Sequence, residues 1–86
     1  MSAPALSFED AVRRAAACHQ QGRLEEALSL YGQLQATRPQ DANLSALVGT
    51  VLAQMGRTGE ALVFLEQALD MAPGNVEAAH NLAHAL

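Results

Sequence analysis

The sequence repeats itself at an offset of 34 residues, and this internal repeat limits the possible folds more than any other feature. The recurring pairs are Gln20 and Gln54, Gly22 and Gly56, Glu26 and Glu60, and Pro39 and Pro73. Repeats of this length are supersecondary units that bury their apolar faces against their neighbours in a stack. The sequence therefore predicts an array of stacked units.

Each copy contains two periodic apolar stretches, which are separated by Gly-Arg and followed by Pro. This punctuation predicts a helical hairpin, because glycine ends helices and proline stops their propagation. Ser7, Asp41 and Asn75 are suitable N-caps for the helices that follow them. The chain has no Ile and only 3% aromatic residues, so a β-sandwich or barrel is not expected. The predicted helices cover residues 8–21, 24–37, 42–55, 58–71 and 76–86.

The hairpin resembles the tetratricopeptide repeat, a 34-residue helix-turn-helix unit with small residues at the helix crossings and a closing proline. The residues that carry this resemblance are Ala15, Gly49 and Ala83, Ala27 and Ala61, Tyr31 and Leu65, Leu34 and Ala68, and the two prolines. The resemblance implies an all-α, right-handed solenoid with two full repeats and the first helix of a third. The predicted division is a lead at 1–7, repeats at 8–41 and 42–75, and a truncated repeat at 76–86.

Charge and cysteine content exclude several classes of function. The net charge is −4 and all five basic residues are Arg, so the basic stripe of a nucleic-acid-binding protein is missing. Cys18 is the single cysteine, which precludes an intramolecular disulfide and favours a reducing cytoplasm. No apolar run is long enough for a membrane span and no export signal is visible. We therefore expect neither nucleic acid nor membrane as a partner.

The family resemblance implies a function in protein binding, because tetratricopeptide arrays hold peptides in a groove lined by their first helices. The matching residues predict a groove with a small, apolar centre and a polar rim, which suits a peptide or a segment of a protein partner. The groove residues predicted in this way are Val12, Arg13, Ala16, His19, Asn43, Ala46, Leu47, Thr50, His80, Asn81 and His84. An alternative interpretation is that the alanines serve only helix propensity and packing.

Catalytic and metal chemistry find little support in the sequence. His80 and His84 have the i, i+4 spacing of a metal pair, but no Glu or Cys set at zinc spacing accompanies them. Cys18 lies on the face that the repeat register buries, and its neighbour His19 points in another direction on a helix. We therefore expect a non-catalytic module with no metal and no cofactor.

The third unit ends after its first helix, so part of its apolar stripe lacks the usual cover. This stripe consists of Ala79, Leu82, Ala83 and Leu86. One explanation is that the chain is the N-terminal array of a larger bacterial protein, for which family habit suggests an attached enzyme such as a glycosyltransferase or sulfotransferase. The other is self-association, in which third helices of two copies pack together or exchange in a homo-oligomer.

Overall fold

Five antiparallel helices build the protein in the computed structural model, which describes residues 7–85 except for the side chains of Glu77, His84 and Ala85. The helices are α1 (Phe8–Gln20), α2 (Leu24–Thr37), α3 (Ala42–Gln54), α4 (Thr58–Met71) and α5 (Val76–Ala85). Each helix packs against the next, and α3 also packs against α5. No strand occurs within residues 7–85. The prediction of an all-α array of helical hairpins is confirmed.

The first helix of each unit begins at the predicted cap. The side chain of Ser7 accepts a hydrogen bond of 3.1 Å from the backbone N–H of Asp10. The Asp41 carboxylate accepts one of 3.1 Å from Leu44, and the Asn75 carbonyl oxygen accepts one of 2.9 Å from Ala78. Each bond satisfies a backbone donor that has no partner within its helix.

The turns inside the hairpins use glycine in the left-handed region, as the sequence predicts. Gly22 has φ +79° and Gly56 has φ +81°, values that residues with a side chain rarely adopt. Helices α1 and α3 end one residue before their predicted ends. The residues concerned, Gln21 and Met55, are C-caps that still donate to helical carbonyls.

An arginine and a glutamate join the start of each second helix to the turn before it. Arg57 Nη2 lies 2.7 Å from Glu60 Oε2, and Arg23 makes the equivalent pair with Glu26. The hydrogen bond that Arg23 donates to Glu26, together with the negative charge of Glu26, raises the pKa of Arg23. These pairs are exposed, so each stabilises its turn only weakly.

The central helix α3 contains the largest share of the core. The buried residues on it are Leu44, Ser45, Ala46, Val48, Gly49, Val51 and Leu52. Helices α2, α4 and α5 all pack against α3, which explains why nearly every side of this helix is covered. The buried polar residue Ser45 is satisfied, because its hydroxyl accepts a hydrogen bond of 2.8 Å from Gln35.

The crossing of α3 and α4 is close because Gly49 has no side chain. A Cβ atom at Gly49 would lie 2.7 Å from Cγ of Leu65 and 3.2 Å from the carbonyl oxygen of Ala61. Both of these residues are completely buried, so neither can move aside into solvent. The counterpart of Gly49 in the first unit is Ala15, so the second hairpin crosses at a residue smaller than the first one uses.

We expect Gly49→Ala to destabilise the protein. Overpacking costs about 1–3 kcal/mol, which exceeds the gain of about 1 kcal/mol from replacing glycine by alanine in a helix. The free energy of unfolding, measured by urea denaturation, should fall by about 1 kcal/mol. The matched control is Gly32→Ala on α2, where an added Cβ meets nothing within 4 Å and the protein should gain about 0.5–1 kcal/mol. Equal changes in both variants would contradict the close crossing.

Candidate partner-binding groove

The first helices α1, α3 and α5 present most of the predicted groove residues at the surface. Four apolar residues on α1 and α3 are half-buried, so part of each side chain is accessible. They are Val12, Ala16, Leu47 and Ala53. Polar residues accompany them, of which Asn43 and His80 are exposed while Thr50 and Asn81 are half-buried. Val12, Leu47 and Ala53 also pack against the core, and this packing holds their side chains in position. The side chain of His84 lies outside the described structure.

Ala46 does not belong to the accessible part of the groove, although the sequence pattern places it there. Its side chain is completely buried in a cluster with Ala68 and Ala78, and Leu69 packs against them. The reason is that α5 packs directly on α3 at this point. Ala46 therefore supports the groove from below and offers no surface to a partner.

Helices α1 and α3 are joined by one side-chain hydrogen bond at the C-terminal ends of both helices. His19 Nε2 lies 2.7 Å from Oε1 of Gln54, and the His19 ring also meets the Tyr31 ring edge-on at 6.5 Å between centroids. Gln54 and its counterpart Gln20 stand at groove positions of the repeat pattern, although neither is among the eleven groove residues named above.

Helices α3 and α5 are joined by a chain of three polar groups. Asn81 Nδ2 donates a hydrogen bond of 2.6 Å to Oγ1 of Thr50. The Thr50 hydroxyl in turn donates one of 2.8 Å to the carbonyl oxygen of Ala46. Two predicted groove residues, Thr50 from the second unit and Asn81 from the third, are thus in direct contact.

A second bond from the third unit reaches the start of α3. Asn75 Nδ2 donates a hydrogen bond of 3.2 Å to Oδ1 of Asn43, while the carbonyl oxygen of Asn75 caps α5. The sequence predicts only the capping role of Asn75. Its contact with Asn43 depends on how α5 stacks on α3, which the spacing of residues does not specify.

Charge is confined to the edges of this surface. Helix α3, which lies in the middle, has no Asp, Glu, Arg, Lys or His among its 13 residues. On α1, Nη1 of Arg13 lies 3.6 Å from the Asp10 carboxylate, and the Arg13 side chain is 77% exposed. A pair this exposed contributes little to stability. The centre of the groove therefore favours uncharged groups, and Arg13 is accessible at one edge.

Cys18 and His19, neighbours in the sequence, take part in separate contacts. Cys18 is buried, as expected, and its thiol donates to a carboxylate oxygen of Glu26 at 3.8 Å. His19 points to Gln54 and Tyr31. Among the described side chains, no group of three or more His, Cys, Asp or Glu residues is arranged to hold a metal ion.

The end face of α5 is partly open. Ala79 and Ala83 are exposed, whereas Leu82 is half-buried. Leu86, the last residue of the predicted apolar stripe, lies outside the described residues. None of the helices within residues 7–85 has the length and apolar character that a membrane span requires.

Comparison with known proteins identifies the family. The family model of the tetratricopeptide repeat matches residues 9–74, which cover both hairpins except for Phe8 at the start of α1. The chain therefore belongs to the tetratricopeptide repeat family, whose repeats generally mediate protein–protein interaction. A search of curated proteins found no significant match.

We expect the bond between Asn81 and Thr50 to stabilise the docking of α5 on α3. Asn81→Ala should lower the free energy of unfolding by about 1 kcal/mol, because it leaves a half-buried hydroxyl without this donor. The amides of α5 should then exchange faster with deuterium. Asn43→Ala is the control, since the bond it removes is longer and exposed and its loss should cost at most about 0.5 kcal/mol. An equal loss in both variants would contradict this ranking.

Proposed function

We propose that the surface formed by α1, α3 and α5 is a groove that binds a segment of a partner protein. The observation that carries the proposal is the composition of α3, which combines an uncharged sequence with half-buried Leu47, Thr50 and Ala53 at the centre of this surface. Burial of the exposed parts of such side chains provides affinity, and hydrogen-bonding groups beside them fix the register of the bound segment.

The chemistry of the groove indicates the kind of segment that binds. An ion placed over α3 loses hydration without gaining an opposite charge, so the centre of the segment is uncharged and apolar. Thr50, three residues after Leu47 on α3, and Asn81, which is bonded to Thr50, supply hydroxyl and amide groups for the backbone of the segment. Arg13 at the edge of α1 suits a carboxylate at one end. The buried, reduced Cys18 is in keeping with a module that acts in the cytoplasm.

A displayed library of random peptides of about ten residues, which span roughly 30 Å when extended, tests this groove. We expect selected peptides to have apolar, uncharged centres. Their Kd should rise at least tenfold for Leu47→Glu, because this variant places a charge where an apolar side chain has to be buried. Val63→Glu, which adds the same charge at a 59% exposed residue of α4, should leave the Kd unchanged. Peptides that bind both variants equally well would contradict the proposal.

Self-association through α5 is a second candidate function, favoured by the exposure of Ala79 and Ala83 beside half-buried Leu82. Packing of this face against another copy removes apolar surface from water. If the protein self-associates in this way, its apparent mass in sedimentation equilibrium rises with protein concentration.

Ala83→Glu tests this candidate without disturbing a buried residue. We expect the variant to remain a monomer at concentrations where the original protein dimerises, because each dimer would bury two new charges. Ala17→Glu on α1, also at an exposed alanine, should dimerise like the original chain. A monomer mass for the original protein at every concentration would exclude self-association and leave the groove proposal intact.

A further inference from the structure

The second helices α2 and α4, which do not take part in the groove, form a cleft of their own. We call it the α2–α4 cleft; its volume is about 450 Å³ and it opens to solvent. Helix α2 contributes Gly32, Gln35 and Ala36, and the loop after it contributes Pro39. Helix α4 contributes Val63, Phe64 and Gln67. Every one of these residues is uncharged, on a chain whose net charge is −4.

Small residues line the α2 wall of the cleft, and apolar residues line much of the α4 wall. A Cβ added at Gly32 meets no atom within 4 Å, and Ala36 one turn later is exposed. Opposite them, Val63 is 59% exposed and Phe64 is half-buried. The cleft thus has room for a side chain and an apolar wall against which it can pack.

The equivalent positions of the other unit carry polar residues. The counterparts of Gly32 and Ala36 in the second unit are Glu66 and Asp70, and the counterpart of Val63 in the first unit is Ser29. All three counterparts are exposed on regular helices, so the same places accept polar residues. The small and apolar residues of the cleft are therefore not a constant feature of the 34-residue repeat.

Negative charge lies directly beside the apolar wall. Val63, Glu66 and Asp70 are spaced three or four residues apart, so they share one face of α4. Glu66 and Asp70 are both exposed, and neither forms an ion pair with any side chain that the structure describes. A cation that approaches the cleft meets two carboxylates that are available to it.

We propose that the α2–α4 cleft is a second docking site, which binds a polypeptide segment with an apolar side chain next to a lysine or arginine. The apolar side chain lies between Ala36 and Val63, and the cation pairs with Glu66 or Asp70. Gln35 is already bonded to Ser45, which leaves Gln67 at the rim as an amide for the backbone of the segment. This site is independent of the groove on α1, α3 and α5.

Two synthetic peptides provide the test, one with the central sequence Lys-Phe-Lys and one with Glu-Phe-Glu, both between neutral Gly-Ser ends. Backbone amide shifts of the ¹⁵N-labelled protein report where each peptide binds. We expect Lys-Phe-Lys to shift the amides of Gly32, Ala36 and Val63 and to leave those of Leu47 and Thr50 in place. Glu-Phe-Glu should bind at least about threefold more weakly, because it brings like charges together.

Two pairs of substitutions separate the apolar contribution from the charge. Gly32→Gln with Ala36→Gln fills the cleft and should raise the Kd of Lys-Phe-Lys about tenfold, since the apolar side chain loses its site. Its control is Gly59→Gln with Ala17→Gln, which makes the same exchanges at exposed residues elsewhere. Glu66→Gln with Asp70→Asn should raise the Kd about threefold. Its control is Glu9→Gln with Asp10→Asn on α1, which should have no effect.

Three results would overturn the proposal. The first is equal affinity for both peptides, and the second is a set of shifts on α1, α3 and α5 in place of α2 and α4. The third is a change in the cleft amides with protein concentration alone, which would make a second copy of the chain the occupant. Circular dichroism of each variant at the working temperature confirms that a loss of binding is not a loss of fold.

Discussion

The close crossing of α3 and α4 at Gly49 is the contact on which the rest of the structure depends. It brings Leu65 and Ala61 against the backbone of α3, and both are completely buried as a result. Helix α3 also packs against α2 and α5. A single helix therefore connects both hairpins and the fifth helix, and its close contact with α4 depends on one missing side chain.

The fold could be predicted closely from the sequence because its helix ends are determined by local chemistry. Ser7, Asp41 and Asn75 cap helices through bonds to residues three positions away, and Gly22 and Gly56 adopt the conformation that the turns require. Such interactions involve only neighbours in the chain, so residue type and spacing are enough to anticipate them. The 34-residue repeat then indicates how the helices stack.

The surface of the candidate groove could be predicted only in outline, because its details depend on distances between helices. Ala46 fits the repeat pattern of a groove residue, yet it is completely buried against Ala68 of α4 and Ala78 of α5. Gln54 and Asn75 form bonds to His19 and Asn43 that require particular side-chain conformations on two helices at once. A periodic pattern identifies the face on which a residue lies, but it does not show how far a neighbouring helix extends over that face.

Thr50 gives the floor of the groove a defined hydrogen-bonding polarity. A hydroxyl has one proton to donate and two lone pairs to accept with. The proton of Thr50 is directed at the carbonyl oxygen of Ala46, and one lone pair receives the amide of Asn81. What remains is a single lone pair, so an incoming N–H can bind here without breaking an existing bond, whereas an incoming carbonyl cannot. The Thr50 hydroxyl therefore distinguishes an incoming donor from an incoming acceptor at this point of the surface.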